Sequence, residues 1–272
     1  MARENLRYAT QVVEFLKKTK PDAYDALVDK TGLEGSEVDA WLRAAENMYV
    51  PYDEKLNIIL QDDNFLDREP WDFRHTPRDR YPLLLFYHPL NIYRKQVIKQ
   101  ADVVLAMFLL GDAFPPEMKK HNFDFYDPLT TGDSSLSSCV EAIIAAQTGD
   151  IDKAIRYGMA ALLMDLADVG GNVKDGCHIA SMGGTWMMLT YGFGGMRDDD
   201  GTLSFWPRRA PEENAILRFP LTYHGHMLEI EIGLDRVEYA LREGERLVIR
   251  HEMEEVELTR ENPLVVRSVS RR

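Results

Sequence analysis

Cysteine is scarce in this 272-residue chain. Cys139 and Cys177 are the only two, too few for a disulfide scaffold and better suited to reduced thiols in a cytosolic setting. No apolar run is long: the longest, Val103 to Leu110, falls far short of the ~20 residues needed to span a bilayer. The first residues, Met1-Ala2-Arg3-Glu4-Asn5, lack the apolar core of a signal peptide. Positive charge is in deficit, with 32 Lys and Arg against 45 Asp and Glu for a net −13. A chain this acidic has no general attraction to phosphate backbones, so nucleic acid is not an expected partner. Low-complexity tracts, sequence repeats, a P-loop, a dinucleotide fingerprint, Gly-x-Ser-x-Gly and metal-spaced Cys/His clusters are all missing. The chain is nevertheless 45% apolar, enough for a sizeable core in one or two domains. These features predict a cytoplasmic globular protein that is neither membrane-bound nor metal-dependent.

The pattern changes near Gly201. Before it, apolar residues recur at helical spacing. Leu6, Ala9, Val12, Val13 and Leu16 share one face of a helix over 3–20, stopped by Pro21. Val38, Trp41, Leu42 and Ala45 do the same over 36–50, with Ser36 as N-cap. Further helices are expected over 92–110, 136–148, 151–169 and 177–191. Between them, residues 51–90 carry five prolines and aromatics that include Phe65, Trp71, Phe73, Phe86 and Tyr87, a composition that forbids a long helix but suits an ordered loop packed over something. After Leu203 the spacing becomes alternation: Leu217, Phe219, Leu221 and Tyr223; then Leu228, Ile230, Ile232 and Leu234; then Val237, Tyr239 and Leu241; then Leu247 and Ile249. Turns fall at His224-Gly225 and Glu243-Gly244. Residues 204–272 hold 11 Arg, no Lys and 13 acidic residues, so nearly all the negative charge lies on the helical part. The expected fold class is mainly α with a small all-β domain, divided as 1–203 and 204–272.

Three stretches are too polar or too glycine-rich for their helical setting. Lys99 and Gln100 lie in Val97-Ile98-Lys99-Gln100-Ala101-Asp102, where Lys95 and Lys99 would share a helix face; from spacing alone this reads as a solvated face. Thr130-Thr131-Gly132-Asp133-Ser134-Ser135-Leu136-Ser137 precedes an apolar helix. It reads as a cap, or as an anion site built from backbone N–H groups and hydroxyls. His178 stands at a helix start followed by Gly183 and Gly184, and is either a satisfied structural histidine or a ligand to an anion or sugar hydroxyl.

Taken together and in order, these segments resemble glycoside hydrolase family 65, the family of maltose, trehalose and kojibiose phosphorylases and related disaccharide hydrolases. The resemblance rests on Tyr126-Asp127-Pro128-Leu129-Thr130-Thr131-Gly132-Asp133-Ser134-Ser135, on the Lys99-Gln100 segment, and on Asp175-Gly176-Cys177-His178 through Trp186 with Gly192 to Arg197. It implies a partial (α/α)6 barrel followed by an antiparallel β-sandwich. It implies that Lys99 and Gln100 bind the hydroxyls of a glucose unit. Ser134, Ser135 and His178 would hold inorganic phosphate, with Gly183 and Gly184 giving backbone access. The implied substrate is an α-linked glucose disaccharide and the co-substrate phosphate, with no other cofactor. Gly132 stands where maltose phosphorylase-like members carry histidine, which leaves phosphorolysis and hydrolysis both open. The family's general-acid glutamate has no counterpart here, so the expected piece is the C-terminal part of the enzyme. It would be inactive alone and completed by the missing N-terminal half or by a homo-oligomer. A non-catalytic helical scaffold is the alternative class, and it predicts a repeat period that the sequence lacks.

Overall fold

The computed structural model describes residues 1–199, 201–208 and 215–269, and divides into two compact units, 1–52 and 53–272. The first unit is three helices: α1 (Ala2–Thr19), α2 (Pro21–Thr31) and α3 (Gly35–Glu46). α1 buries Thr10 and Val13, and α3 buries Val38 and Ala45. Pro21 does end the first helix, but it also begins the second. A proline at the first helical position loses no hydrogen bond, and Gly32 then closes α2 in the left-handed region at φ 69°. Leu42, expected inward, is exposed.

The second unit begins with the aromatic loop, which is ordered by specific anchors. Asn122 accepts from Ile59 N at 2.8 Å, and the Tyr126 hydroxyl donates to Ile59 O at 2.7 Å while accepting from Gln61 N at 2.9 Å. Phe65 is fully buried against Phe125 and Tyr126. Both polar anchors lie on a helix that the apolar pattern did not reveal. The helices of eight or more residues in this unit are α4 (Asp102–Leu109), α5 (Pro116–Tyr126), α6 (Ser137–Thr148), α7 (Ile151–Leu162) and α8 (Ile179–Met187), the last continuing as a π-helical turn over Met188–Phe193. No helix among the described residues is long and apolar enough to cross a membrane.

α6 is the axis of this unit. Every residue from Ser137 to Ala146 is buried, and most are small, so neighbouring helices approach closely. Gly149, at φ 87°, turns the chain into α7, whose N-cap Asp150 accepts from Lys153 N. On the other side, a Cβ on Gly192 would stand 3.5 Å from the Ile143 backbone. α7 stops at Leu162, where a run to Val169 was expected; turns follow it and bring Asp165 within reach of His178.

Two four-stranded sheets follow: β1 (Met196–Arg197), β2 (Ser204–Phe205), β3 (Leu217–Tyr223), β4 (His226–Ile232), β5 (Arg236–Glu243), β6 (Arg246–His251), β7 (Glu254–Thr259) and β8 (Leu264–Ser268). One sheet has the order β7-β6-β2-β1, the other β8-β5-β4-β3. All ladders are antiparallel except β6–β2, which is parallel over two residue pairs. His224 and Gly225 form the β3–β4 turn, both at positive φ, which matches the twist of the flanking strands. The alternating residues Phe219, Leu228, Ile230, Ile232, Val237, Tyr239, Leu241, Leu247 and Ile249 bury into one core, as their spacing predicts.

Glu141 is the anomaly in α6, the one charged residue of that helix and only 3% exposed. Burial, reinforced by Asp127 and offset by Arg156, pushes its pKa up to about 7. A carboxyl whose folded pKa lies above its unfolded one binds more protons in the folded state between those values. Folding stability therefore falls as pH rises from about 4.5 through 7. Glu141→Gln should remove this dependence. Urea unfolding at pH 5 and pH 8 should show the variant gaining on the wild type by on the order of 2 kcal/mol at pH 8, with the gain gone at pH 5. A difference that does not change with pH would mean that Glu141 stays ionised in both states.

Candidate active site

The Lys99-Gln100 segment is not helical. Of the expected helix over 92–110, only the end of a short helix, Pro89–Tyr93, and α4, Asp102–Leu109, form, and Lys95 and Lys99 do not share a helix face. The backbone hydrogen bonds of this stretch go elsewhere. Lys95–Gln96 forms a two-residue parallel ladder with Glu69–Pro70, and the Gln96 amide donates to Leu66 O and Arg68 O. Ile98 then forms an isolated parallel bridge with Thr130: its N–H donates to Leu129 O and its carbonyl accepts from Thr131 N, both at 2.9 Å. A segment whose donors and acceptors are satisfied by strand partners has no reason to close helical turns.

This bridge lays two polar motifs side by side. Gln100 Nε2 donates to Ser134 Oγ at 3.1 Å. Ser134 is buried, and its hydroxyl also accepts from Leu136 N at 3.3 Å, while its carbonyl accepts from Ser137 N at 3.1 Å. Gly132 adopts φ 71°, which lets the chain reverse into the motif. Asp133 accepts from Leu83 N at 2.9 Å and so ties the aromatic loop to the same place. Ser135 is half-buried, and Lys99 is exposed with no ion pair among the described residues. The Ser137 hydroxyl is buried with no partner among the described residues.

His178 lies at the start of α8, on the neighbouring helix. Asp165 grips it twice: Oδ2 accepts from the His178 backbone N at 2.9 Å, and Oδ1 lies 2.6 Å from Nδ1. The hydrogen bond from His178 holds the Asp165 carboxyl below its ordinary range. An ionised carboxylate at Nδ1 fixes the ring so that Nδ1 carries the proton and Nε2 is left for another partner. No hydrogen bond joins His178 to Ser134 or Ser135 among the described residues. α8 reaches α6 through a helix contact at Gly184, where a Cβ would stand 2.5 Å from Cys139 Sγ and 2.7 Å from its Cβ. The two glycines therefore differ. Gly184 permits close helix approach, and Gly183 is exposed with open space beside it.

Sequence reasoning missed Asp165, which lies 13 residues before His178 in a turn with no motif of its own. It also missed the role of Asp127, which accepts from the Tyr157 hydroxyl and pairs with Lys153 Nζ at 3.0 Å, bracing the start of the motif against α7. The only signal for either was an acidic residue next to a proline or a turn.

Residues 1–187 match the glycosyl hydrolase family 65 central catalytic domain, and residues 196–258 match the family's C-terminal domain. The chain belongs to this family. It is 44% identical over 266 residues to α,α-trehalose phosphorylase of Geobacillus stearothermophilus, covering 98% of this chain and 35% of that protein. It is 32% identical over 250 residues to kojibiose phosphorylase of Halothermothrix orenii, covering 92% and 32%. Among solved structures, a putative kojibiose phosphorylase from human microbiome superposes with a TM-score of 0.84 at 26% identity, covering 97% of this chain and 36% of that one. The chain thus spans about a third of the length of the relatives it matches.

The glycine pair gives a direct check on the helix contact. Gly184→Ala should destabilise the protein by about 1–3 kcal/mol, because the Cys139 Sγ and Cβ atoms cannot both move aside within a packed core. Gly183→Ala should be neutral or slightly stabilising, since alanine is the better helix former and meets nothing. Urea unfolding of the two variants separates them, and equal effects would refute the contact.

Proposed function

We propose that this chain is the C-terminal third of a disaccharide phosphorylase that cleaves an α-linked glucose disaccharide with inorganic phosphate, the activity named for its trehalose, kojibiose and maltose phosphorylase relatives. Residues 1–203 would be part of an (α/α)6 barrel and 204–272 its small β domain. The observation that carries the reading is the hydrogen bond from Gln100 to Ser134, which puts the sugar-side and phosphate-side motifs in contact. A carboxamide and an ammonium suit the donor and acceptor pattern of sugar hydroxyls, so Lys99 and Gln100 would hold the glucose unit. Ser134, Ser135 and the adjoining start of α6 offer hydroxyl and backbone donors to phosphate, and His178 adds a ring nitrogen already oriented by Asp165. Gly183 leaves its backbone open to the same anion, whereas Gly184 serves mainly the contact with α6.

In this reading phosphate attacks the anomeric carbon while a general acid protonates the leaving oxygen on the opposite face, giving β-glucose 1-phosphate and glucose. Such inversion needs both groups in place. The proton donor would be the family's glutamate, supplied from outside these 272 residues, and a positioned acid contributes ~10²–10⁴ in rate. The free thiols Cys139 and Cys177 fit a cytoplasmic setting.

The test is a chimera that joins the first two-thirds of the Geobacillus stearothermophilus enzyme to this chain. The chimera should release glucose 1-phosphate from trehalose, kojibiose or maltose only when phosphate is present, and the 272-residue chain alone should not. In the chimera, His178→Ala should raise KM for phosphate about tenfold or more while changing KM for disaccharide little. Equal loss on both substrates would reduce His178 to a structural residue, and phosphate-independent release of glucose would assign hydrolysis.

A further inference from the structure

A cavity lies at the far end of α6, bordered by the start of α5 and by β1 and β2. It encloses about 470 Å³, enough for one or two pyranose rings. α6 is 12 residues long, so this cavity lies about 18 Å from Ser134 and Ser135 at the other end. Its wall carries Asp112, Asp199, Lys119 and Arg197 together with Trp206 and Gln147.

Four properties distinguish this wall from an ordinary polar surface. First, Asp112, Asp199 and Lys119 face the cavity without an ion pair to one another within 4 Å, although each feels the others electrostatically. Second, Lys119 is half-buried beside the exposed Asp112 and Asp199. Burial, helped by Arg197, lowers the Lys119 pKa, and burial, helped by Asp112, raises that of Asp199. Third, Gly111 makes room for this arrangement: a Cβ there would meet Asp199 Oδ2 at 2.6 Å. Fourth, both polar atoms of the Gln147 amide are buried with no partner among the described residues. Arg197 is held in place by Tyr191 O at 2.9 Å and by the rings of Phe108 and Tyr191.

Leaving the buried Gln147 amide unpaired costs about 1–3 kcal/mol, a cost that a matching ligand offsets. Cations and anions are interleaved around this wall, so it has neither the single sign that recognises an ion nor two separated poles for a zwitterion. Alternating donors and acceptors match a neutral ring of hydroxyls. We propose that this cavity binds a neutral monosaccharide at a site separate from the candidate active site.

The test avoids catalysis, so it stands or falls independently of the phosphorylase reading. Thermal unfolding is followed in the protein carrying Lys99→Ala and Gln100→Ala, which removes the glucose contacts proposed at the other site. D-glucose should raise Tm saturably, by about 4 °C at ten times its Kd. Glycerol at matched osmolality corrects for the unsaturable stabilisation that any polyol gives. Asp199→Asn and, separately, Lys119→Met should each weaken the glucose Kd tenfold or more, with circular dichroism confirming that both variants fold. If one variant does not fold, the other decides. A glucose effect that matches glycerol, or that survives both substitutions, would overturn the proposal. So would a saturable shift from inorganic phosphate or glycine that Asp199→Asn or Lys119→Met abolishes, since the site would then recognise an ion or a zwitterion.

Discussion

The backbone of Ile98 gives its N–H to Leu129 and its carbonyl to Thr131, and the candidate site depends on that one bridge. The two hydrogen bonds lock the approach to α4 beside the approach to α6, so residues more than thirty positions apart enter the same small volume. Gln100 and Ser134 then meet as a consequence. Asp133 extends the arrangement by capturing the Leu83 amide, and Asn122 and Tyr126 hold the earlier part of the aromatic loop. Pairing of main-chain groups is an economical way to fix side chains on irregular segments, because each buried donor and acceptor must be satisfied somewhere.

α6 supplies the second constraint. Its small residues let α7, α8 and the π-helical turn pack closely around it, at the expense of helix propensity in α8, where Gly183 and Gly184 stand together. Of these two only Gly184 meets α6, which frees the other to face open space. Asp165, released from α7 by the turns after Leu162, can then hold the His178 ring by Nδ1. The ring is oriented by an interaction that adds no contact to a ligand itself, the arrangement expected where an imidazole nitrogen must point in one direction.

The sequence made some of this legible and hid the rest for physical reasons. Alternation of period two is a strong signal when one strand face is buried, and β3 to β6 fall where the pattern places them. The start of α6 was equally clear from the hydroxyls before an apolar run. The false helix over 92–110 arose because Val97, Ile98 and Ala101 carry apolar side chains at spacing that a helix or an irregular buried segment can use; tertiary hydrogen bonds decided between them. α2 and α5 were missed because each opens on a proline, read as a stop when it can also start a helix, and because α5 is largely polar along its length. Asp165 and Asp127 were invisible as partners of His178 and of Tyr157 and Lys153, since a single carboxylate in a turn has no pattern until folding supplies its partner. The family resemblance singled out Lys99, Gln100, Ser134, Ser135, His178, Gly183 and Gly184 as candidates, but the difference between the two glycines needed coordinates.

The central claim is that the sugar-side and phosphate-side motifs act as one site through Gln100 and Ser134. A double-mutant cycle of Gln100→Ala and Ser134→Ala in the active chimera, read as kcat/KM under limiting disaccharide and under limiting phosphate, tests it most directly. The account predicts strong coupling, with the double variant losing little more than the worse single variant and an interaction energy of about 1 kcal/mol or more. Additive losses, with an interaction energy within about 0.3 kcal/mol of zero, would contradict it.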